Sequence, residues 1–300
     1  MRAPVLALAF ALGACDASSR PATVGEVRAR DAAAAAPDAA ADPTGPRGEA
    51  YADLAAALER ILRDRPRVLG IGELHVRTDR GAALTSALAR FSADGLPAIA
   101  GRVSDLVLET WMVDPACKPG AAATARVESA MKRPASTKTE IGGLFGLTKA
   151  NSIKAHVMRL TCDDLVAVAP ATAPDGGPGE LDAEKLLGLV TRELSRITRS
   201  AIRYRDERQE ARPLIVVYGG ALHNDLYPYK ATAQWSYARE VDAAAGGRYV
   251  EVDLFLPELL GDNPLYQQEP WFAVAEQAPA DKVLVIERAP HSYAVILPRG

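Results

Sequence analysis

"VLGIGELH" (residues 68–75) decides how this chain is read: an apolar run ends abruptly in Gly72-Glu73-Leu74-His75. Unbroken Val, Leu, Ile and Gly without polar alternation is the pattern of a strand buried on both faces, as in parallel sheets. "LIVVYGGALH" (214–223) makes the same move, with two residues between Gly219-Gly220 and His223. Each run is followed by a helical pattern and then a second strand. After His75 come "TDRGAALTSALARFSADG" (78–95), with Thr78 or Asp79 as cap, and "SDLVLET" (104–110), ending near Glu109. After His223 come "SYAREVDAAAGG" and "RYVEVDLFLPE", which carries Glu251. Strand, helix, strand in this order predicts parallel pairing. The expectation is an α/β fold, a mainly parallel sheet flanked by helices. It consists of two similar β-α-β halves, a helical insertion and a C-terminal hairpin, "DKVLVIERAPHSYAVILPRG", at the sheet's edge.

Around these units the reading is coarser. "YADLAAALERILRD" (51–64) has helical spacing, and "LDAEKLLGLVTRELSRITRSAIRYRDERQ" is one long helix. Its core stripe is Leu187, Val190, Leu194, Ile197, Ala201 and Tyr204, with Arg192, Arg196, Arg199 and Arg203 on a solvated face. In the middle, "AAATARVESAMKR" predicts a helix and "KTEIGGLFGLTK" a mobile loop or irregular helix. The latter has the glycines of a phosphate-binding loop but not its Gly-Lys-Ser/Thr. "NSIKAHVMRL" predicts a helix carrying His156, and "DDLVAVAP" a strand.

The N-terminus bears on compartment. "MRAPVLALAFALGAC" has one basic residue, a short apolar run and then Gly13-Ala14-Cys15. That run is far short of the roughly 20 residues needed to span a bilayer and has the layout of an export signal. Residues 1–14 are therefore expected to be a signal peptide. Cys15 in this setting resembles a bacterial lipobox and is the expected lipidation site. Residues 15–48, rich in Ala, Pro and Asp, are expected to be a tether between membrane and domain, with 49–300 folding as one domain. The chain would then be an exported lipoprotein, periplasmic or at the cell surface. With 38 acidic against 35 basic residues, net −3, nucleic acid is not an expected partner. Outside the reducing cytosol, Cys117 and Cys162 are expected to bridge, two buried thiols being the alternative.

The chemistry lies at the turns. Ligands of parallel sheets bind beyond the carboxyl ends of strands, where strand order reverses. Imidazole is a general base near neutral pH and a metal ligand, and a carboxylate beside it orients the ring. Glu73, His75, Glu109 and His223 are the candidate catalytic residues, with His75, His223 and Glu109 as candidate metal ligands. Asp225 is a candidate for orienting an imidazole, and His156 and His291 are weaker candidates. No Gly-x-Ser-x-Gly, His-Glu-x-x-His or Cys-x-x-Cys occurs, which disfavours a serine hydrolase, a zincin or a zinc ribbon.

"GIGELH", "LVLET" and "YGGALHND" together resemble the erythromycin-esterase/ChaN-like superfamily, related to the TraB and Tiki proteins, and the lipobox fits its ChaN-like lipoprotein branch. The resemblance covers roughly residues 67–110 and 213–256. It implies an α/β fold with paired Gly-x-x-His motifs and a functional Glu, matched here by Glu73, His75, Glu109 and His223. Members include esterases, proposed metal-dependent proteases and haem-binding lipoproteins. The leading expectation is a membrane-anchored hydrolase of an ester or peptide bond in a small-molecule or peptide substrate, working either with a divalent metal as candidate cofactor or by metal-free acid/base attack of water. The alternative is a non-enzymatic lipoprotein binding haem or iron through Tyr218, His75 or His223.

Overall fold

The computed structural model describes residues 46–300 except 82, 115, 172–178, 210–211 and 262. The signal peptide, Cys15 and most of the expected tether lie outside the described residues. Where description begins, the tether boundary moves: Gly48 already belongs to β1 (Gly48–Tyr51), the first strand of the sheet.

The first β-α-β unit begins with α1 (Leu54–Ile61), whose N-cap Asp53 accepts from the Ala56 N–H at 2.8 Å, and β2 (Val68–Glu73), buried throughout. The helix expected to start at Thr78 or Asp79 starts eight residues later. Ser86 caps α2 (Ala87–Arg90), accepting from Ala89, and the helix runs through a π turn at Phe91–Gly95 into α3 (Leu96–Ile99). Asp79 instead pairs with Arg77 and Lys132. β3 (Val103–Val113) follows.

Three expectations for the middle of the chain are corrected. "KTEIGGLFGLTK" lies in a regular 15-residue helix, α5 (Ser136–Ala150), after α4 (Gly120–Met131). Its glycines 142, 143 and 146 face open space, while Leu144 is buried, so the missing side chains cost the helix no packing. "NSIKAHVMRL" is a strand, β4 (Lys154–Leu160), because β3 offers it a parallel edge. "DDLVAVAP" is a helix, α6 (Cys162–Val168), started by a capping box in which the side chains of Thr161 and Asp164 satisfy each other's backbone N–H. Leu165 and Val168 give it a buried face.

The remainder is α7 (Ala183–Arg208), β5 (Leu214–Gly220), α8 (Ala238–Ala244) and β6 (Tyr249–Phe255). Short α9 (Pro257–Leu260) and α10 (Phe272–Ala275) lead to β7 (Val283–Ala289) and β8 (Ser292–Ile296). Tyr204 is exposed rather than part of the α7 stripe, and Thr191, Ser195 and Thr198 are buried within it.

All eight strands form one sheet in the order β1-β7-β8-β6-β2-β5-β3-β4. From β8 through β4 every pairing is parallel, and β7 pairs antiparallel with β8 and β1. The expected hairpin is therefore present, but β1 rather than the hairpin forms that edge. The two β-α-β units are present too, but interleaved: β5 lies between β2 and β3, and β2 lies between β5 and β6. Side chains alternate between two cores, as pleating requires. Leu69, Ile71, Val216 and Tyr218 join one with α1, α2, α3 and α5; Val68, Ile215 and Val217 join the other with α4, α6, α7 and α8. Helices thus cover both faces, and the order in which strands are added reverses between the parallel neighbours β2 and β5: β2 is followed by β3 on one side, β5 by β6 on the other. Ligand crevices open at such switch points.

Candidate functional site

β2 and β5 pair in register, Gly72 with Gly219 and Glu73 with Gly220, so the two Gly-x-x-His turns leave the sheet side by side. Gly220 is the point of convergence. A Cβ on it would lie 3.2 Å from His75 Nε2, 3.5 Å from Glu109 Oε2 and 3.8 Å from His223 Cδ2, so the two imidazoles are within about 7 Å of each other.

Glu109 arrives from β3. The β3–β4 register shifts between Leu108 and Trp111, and the β3–β5 ladder stops at Leu108, so the strand bulges at Glu109. A bulge re-aims a side chain, and here the Glu109 carboxylate takes the Gly220 N–H at 2.6 Å. Gly219 makes room, because a Cβ there would sit 2.5 Å from Glu109 Oε2. Burial raises the Glu109 pKa, but the charges of His223, His75 and Arg133 and the Gly220 N–H outweigh it, and the net shift is downward. Glu109 is a buried carboxylate that stays ionised.

Both imidazoles are fixed through Nδ1. His75 Nδ1 lies 2.7 Å from Glu73 Oε1. Glu73 is itself held: its Oε2 accepts from the Leu88 N–H at 3.0 Å and from the Tyr218 hydroxyl at 2.9 Å. His223 Nδ1 lies 2.9 Å from the Trp235 carbonyl and 2.9 Å from Thr191 Oγ1. A carbonyl only accepts, so Nδ1 carries the proton and Nε2 is the basic nitrogen. Burial lowers the His223 pKa, against the charge of Glu109 and the Trp235 hydrogen bond, which raise it. Asp225 does not orient His223; its carboxylate accepts from the Tyr227 N–H.

Arg133, in the turn between α4 and α5, completes the group. Its Nη2 is 2.6 Å from His75 Nε2 and 3.7 Å from Glu109 Oε1. Its Nε is buried, and no described residue accepts from it. The disulfide Cys117–Cys162 closes the insertion that carries Arg133, with Cα atoms 5.4 Å apart.

Sequence reasoning thus reached Glu73, His75, Glu109 and His223, which the fold brings together. It missed Arg133 and Thr191. For Arg133 the one signal is its place before Pro134 at a helix end, and Thr191 lies among apolar residues of α7. His156 is on β4 rather than mid-helix. It lies 2.7 Å from Asp105, whose carboxyl burial raises but whose bonds to His156, Arg205 and Ser104 hold at about 2. These bonds tie β4 and α7 to β3. His291 sits in the β7–β8 turn, 3.3 Å from Asp64.

The residues can be tested against the expected cofactors. Rings locked through Nδ1 by a carboxylate and a carbonyl are typical of metal-ligating histidines. Here, however, a guanidinium fills the space between His75 Nε2 and Glu109, and among the described residues no three His, Cys, Asp or Glu are arranged to hold a metal ion. The set does not fit a cation. Of the residues expected to hold haem, Tyr218 is buried, stacked on Phe91 and bonded to Glu73, so its hydroxyl is not offered to an iron. No family model, curated protein or solved structure matches the chain.

Proposed function

We propose that the chain is a hydrolase of an ester or amide bond, working without a metal. The observation that carries this reading is the convergence of His75, Glu109 and His223 on Gly220, with Arg133 bridging His75 and Glu109. Glu73 keeps the proton on His75 Nδ1, which leaves Nε2 as the base. A substrate carbonyl entering between His75 and Arg133 takes over the guanidinium N–H now given to Nε2. Water then attacks the carbonyl carbon. Its oxygen forms the new bond, its proton passes to His75 Nε2, and the carbonyl electrons move onto an oxyanion facing Arg133. On collapse the bond to the leaving group breaks, and the proton on Nε2 goes to the departing oxygen or nitrogen. Ionised Glu109 supports the transient imidazolium and keeps Arg133 in place. His223 Nε2 is the second basic atom facing the reaction. The lipobox-like Cys15 supports anchoring at a membrane surface, and no helix among the described residues is long and apolar enough to cross a bilayer.

The experiment is a panel of acyl esters and short peptides, followed by kinetics on the best substrate. His75→Ala and Arg133→Met should each lower kcat/KM by about 10²–10⁴-fold, with unfolding midpoints close to the parent and turnover insensitive to chelators. Full activity in either folded variant, or activity abolished by a chelator and restored by a metal, would overturn the proposal.

A further inference from the structure

A second cavity, of about 520 Å³, opens on the other side of the same turn, between β6, the β7–β8 hairpin and the segment before α10. Its volume is in the range of small-molecule sites. Ala221, the residue after Gly220, is part of its wall. The lining is acidic and aromatic: Asp225, Glu251, Asp253, Glu269 and Glu287 stand with Tyr229 and Trp271, and Arg288 is the only base among the described lining residues.

Arg288 is already committed. Its Nη2 donates to Glu251 at 2.6 Å and its Nη1 to Asp253 Oδ2 at 2.8 Å. Asp253 Oδ1 remains. It is buried, and no described residue donates to it. The same holds for Oδ1 of Asn224, whose own amide N–H bonds the Gly70 carbonyl. Both oxygens aim at one spot, above the cross-strand partner Gly72. A Cβ on Gly72 would fall 2.6 Å from Asn224 Oδ1, closer still to Asp253 Oδ1, and 2.6 Å from the Ala221 Cα in the cavity wall. Two buried acceptors without donors are costly, and glycine at position 72 avoids the collision that any side chain there would make with both oxygens.

We infer that this cavity is a binding site for a small organic cation that carries N–H donors, a protonated primary amine or a guanidinium. Its head would donate to Asp253 Oδ1 and Asn224 Oδ1, and Asp253 with Glu287 of the lining supplies the charge. Tyr229 and Trp271 would cover the organic part. A quaternary ammonium has no N–H and would leave both acceptors unmet, so the site should discriminate against it. The inference does not depend on hydrolysis at Gly220, because binding is measured directly.

The test is calorimetric titration of the full folded protein with 2-phenylethylammonium, its N-trimethyl analogue and 2-phenylethanol. The primary amine should bind at least tenfold tighter than either analogue, and Asp253→Asn should weaken it at least tenfold. If Asp253→Asn does not fold, Glu269→Gln, in the same lining but outside the Arg288 pairs, should weaken binding at least threefold. No binding up to about 10 mM (a free energy near −3 kcal/mol), equal binding of the trimethyl analogue or the alcohol, or unchanged affinity in the folded variant would each overturn the inference.

Discussion

Replacing both bridged cysteines, Cys117→Ser with Cys162→Ser, isolates what the crosslink contributes. The bond joins residues 45 apart. On the chain-entropy model a closed loop of that length constrains the unfolded chain by about 4 kcal/mol at room temperature. For a domain of this size each kcal/mol shifts the midpoint by roughly 2–4 °C, so the variant should melt about 8–16 °C below the parent. The loop encloses α4, Arg133 and α5, but Arg133 reaches His75 and Glu109 through native packing. Turnover by the folded variant at low temperature should therefore stay within about twofold of the parent, since the entropic effect acts on the unfolded chain. Urea unfolding of both proteins, with thiol labelling of the denatured, non-reduced parent, measures this. A stability loss under about 1 kcal/mol would refute the entropic argument, as would free thiols at Cys117 and Cys162 in the parent. A collapse of turnover with unchanged stability would place the bond's effect in the native state instead.

Gly220→Ala puts a methyl 3.2 Å from His75 Nε2 in a strand whose backbone accepts alanine; turnover should fall at least tenfold while stability changes by less than about 1 kcal/mol, measured by kinetics and urea unfolding. Tyr218→Phe removes one of the two donors to Glu73 Oε2 that are seen here and should cost about 1–2 kcal/mol in the same unfolding assay. Burial pushes the Glu251 carboxyl up to about 8, against the pull of Arg288, so the folded state holds a proton that the unfolded chain releases near 4.5. That stability is complete below the unfolded value and is lost as pH rises from about 4.5 to about 8, so the midpoint should fall across that window and level off above it, and Glu251→Gln should flatten the slope. His223, its pKa lowered mainly by burial, should titrate below 6.5 when followed by imidazole proton resonances.

The parts of this protein legible in its sequence are those whose pattern is dictated locally. β2, β3, β5 and β6 are apolar runs because the sheet is covered on both faces, and α7 is long enough for its period to show. Glu73, His75 and His223 stood out because polar side chains at buried strand ends demand a reason. What stayed hidden depends on partners elsewhere in the chain. β4 is an edge strand buried mainly at Met158 and Leu160, so only pairing with β3 distinguishes it from a helix. α6 was announced by Thr161 and Asp164, a capping signal overshadowed by the apolar run after it. α5 looked broken because its glycines were weighed without knowing that they face outward. Arg133 could not be found at all, since an arginine before a proline says nothing about a histidine 58 residues earlier.

The interleaving of the two units has a consequence for how the protein comes into being. A chain that emerges N-terminus first exposes β2 and β3 long before β5, yet these two strands have no edge in common until β5 arrives to fill the gap. Neither unit can therefore be a self-sufficient precursor. Glu73, His75 and Glu109 are synthesised early but have no Gly220 N–H, no His223 and no β5 ladder to gather them. An N-terminal fragment ending before Leu214 should be unable to assemble the centre in any form. The centre would form in a single late event, the insertion of one seven-residue strand.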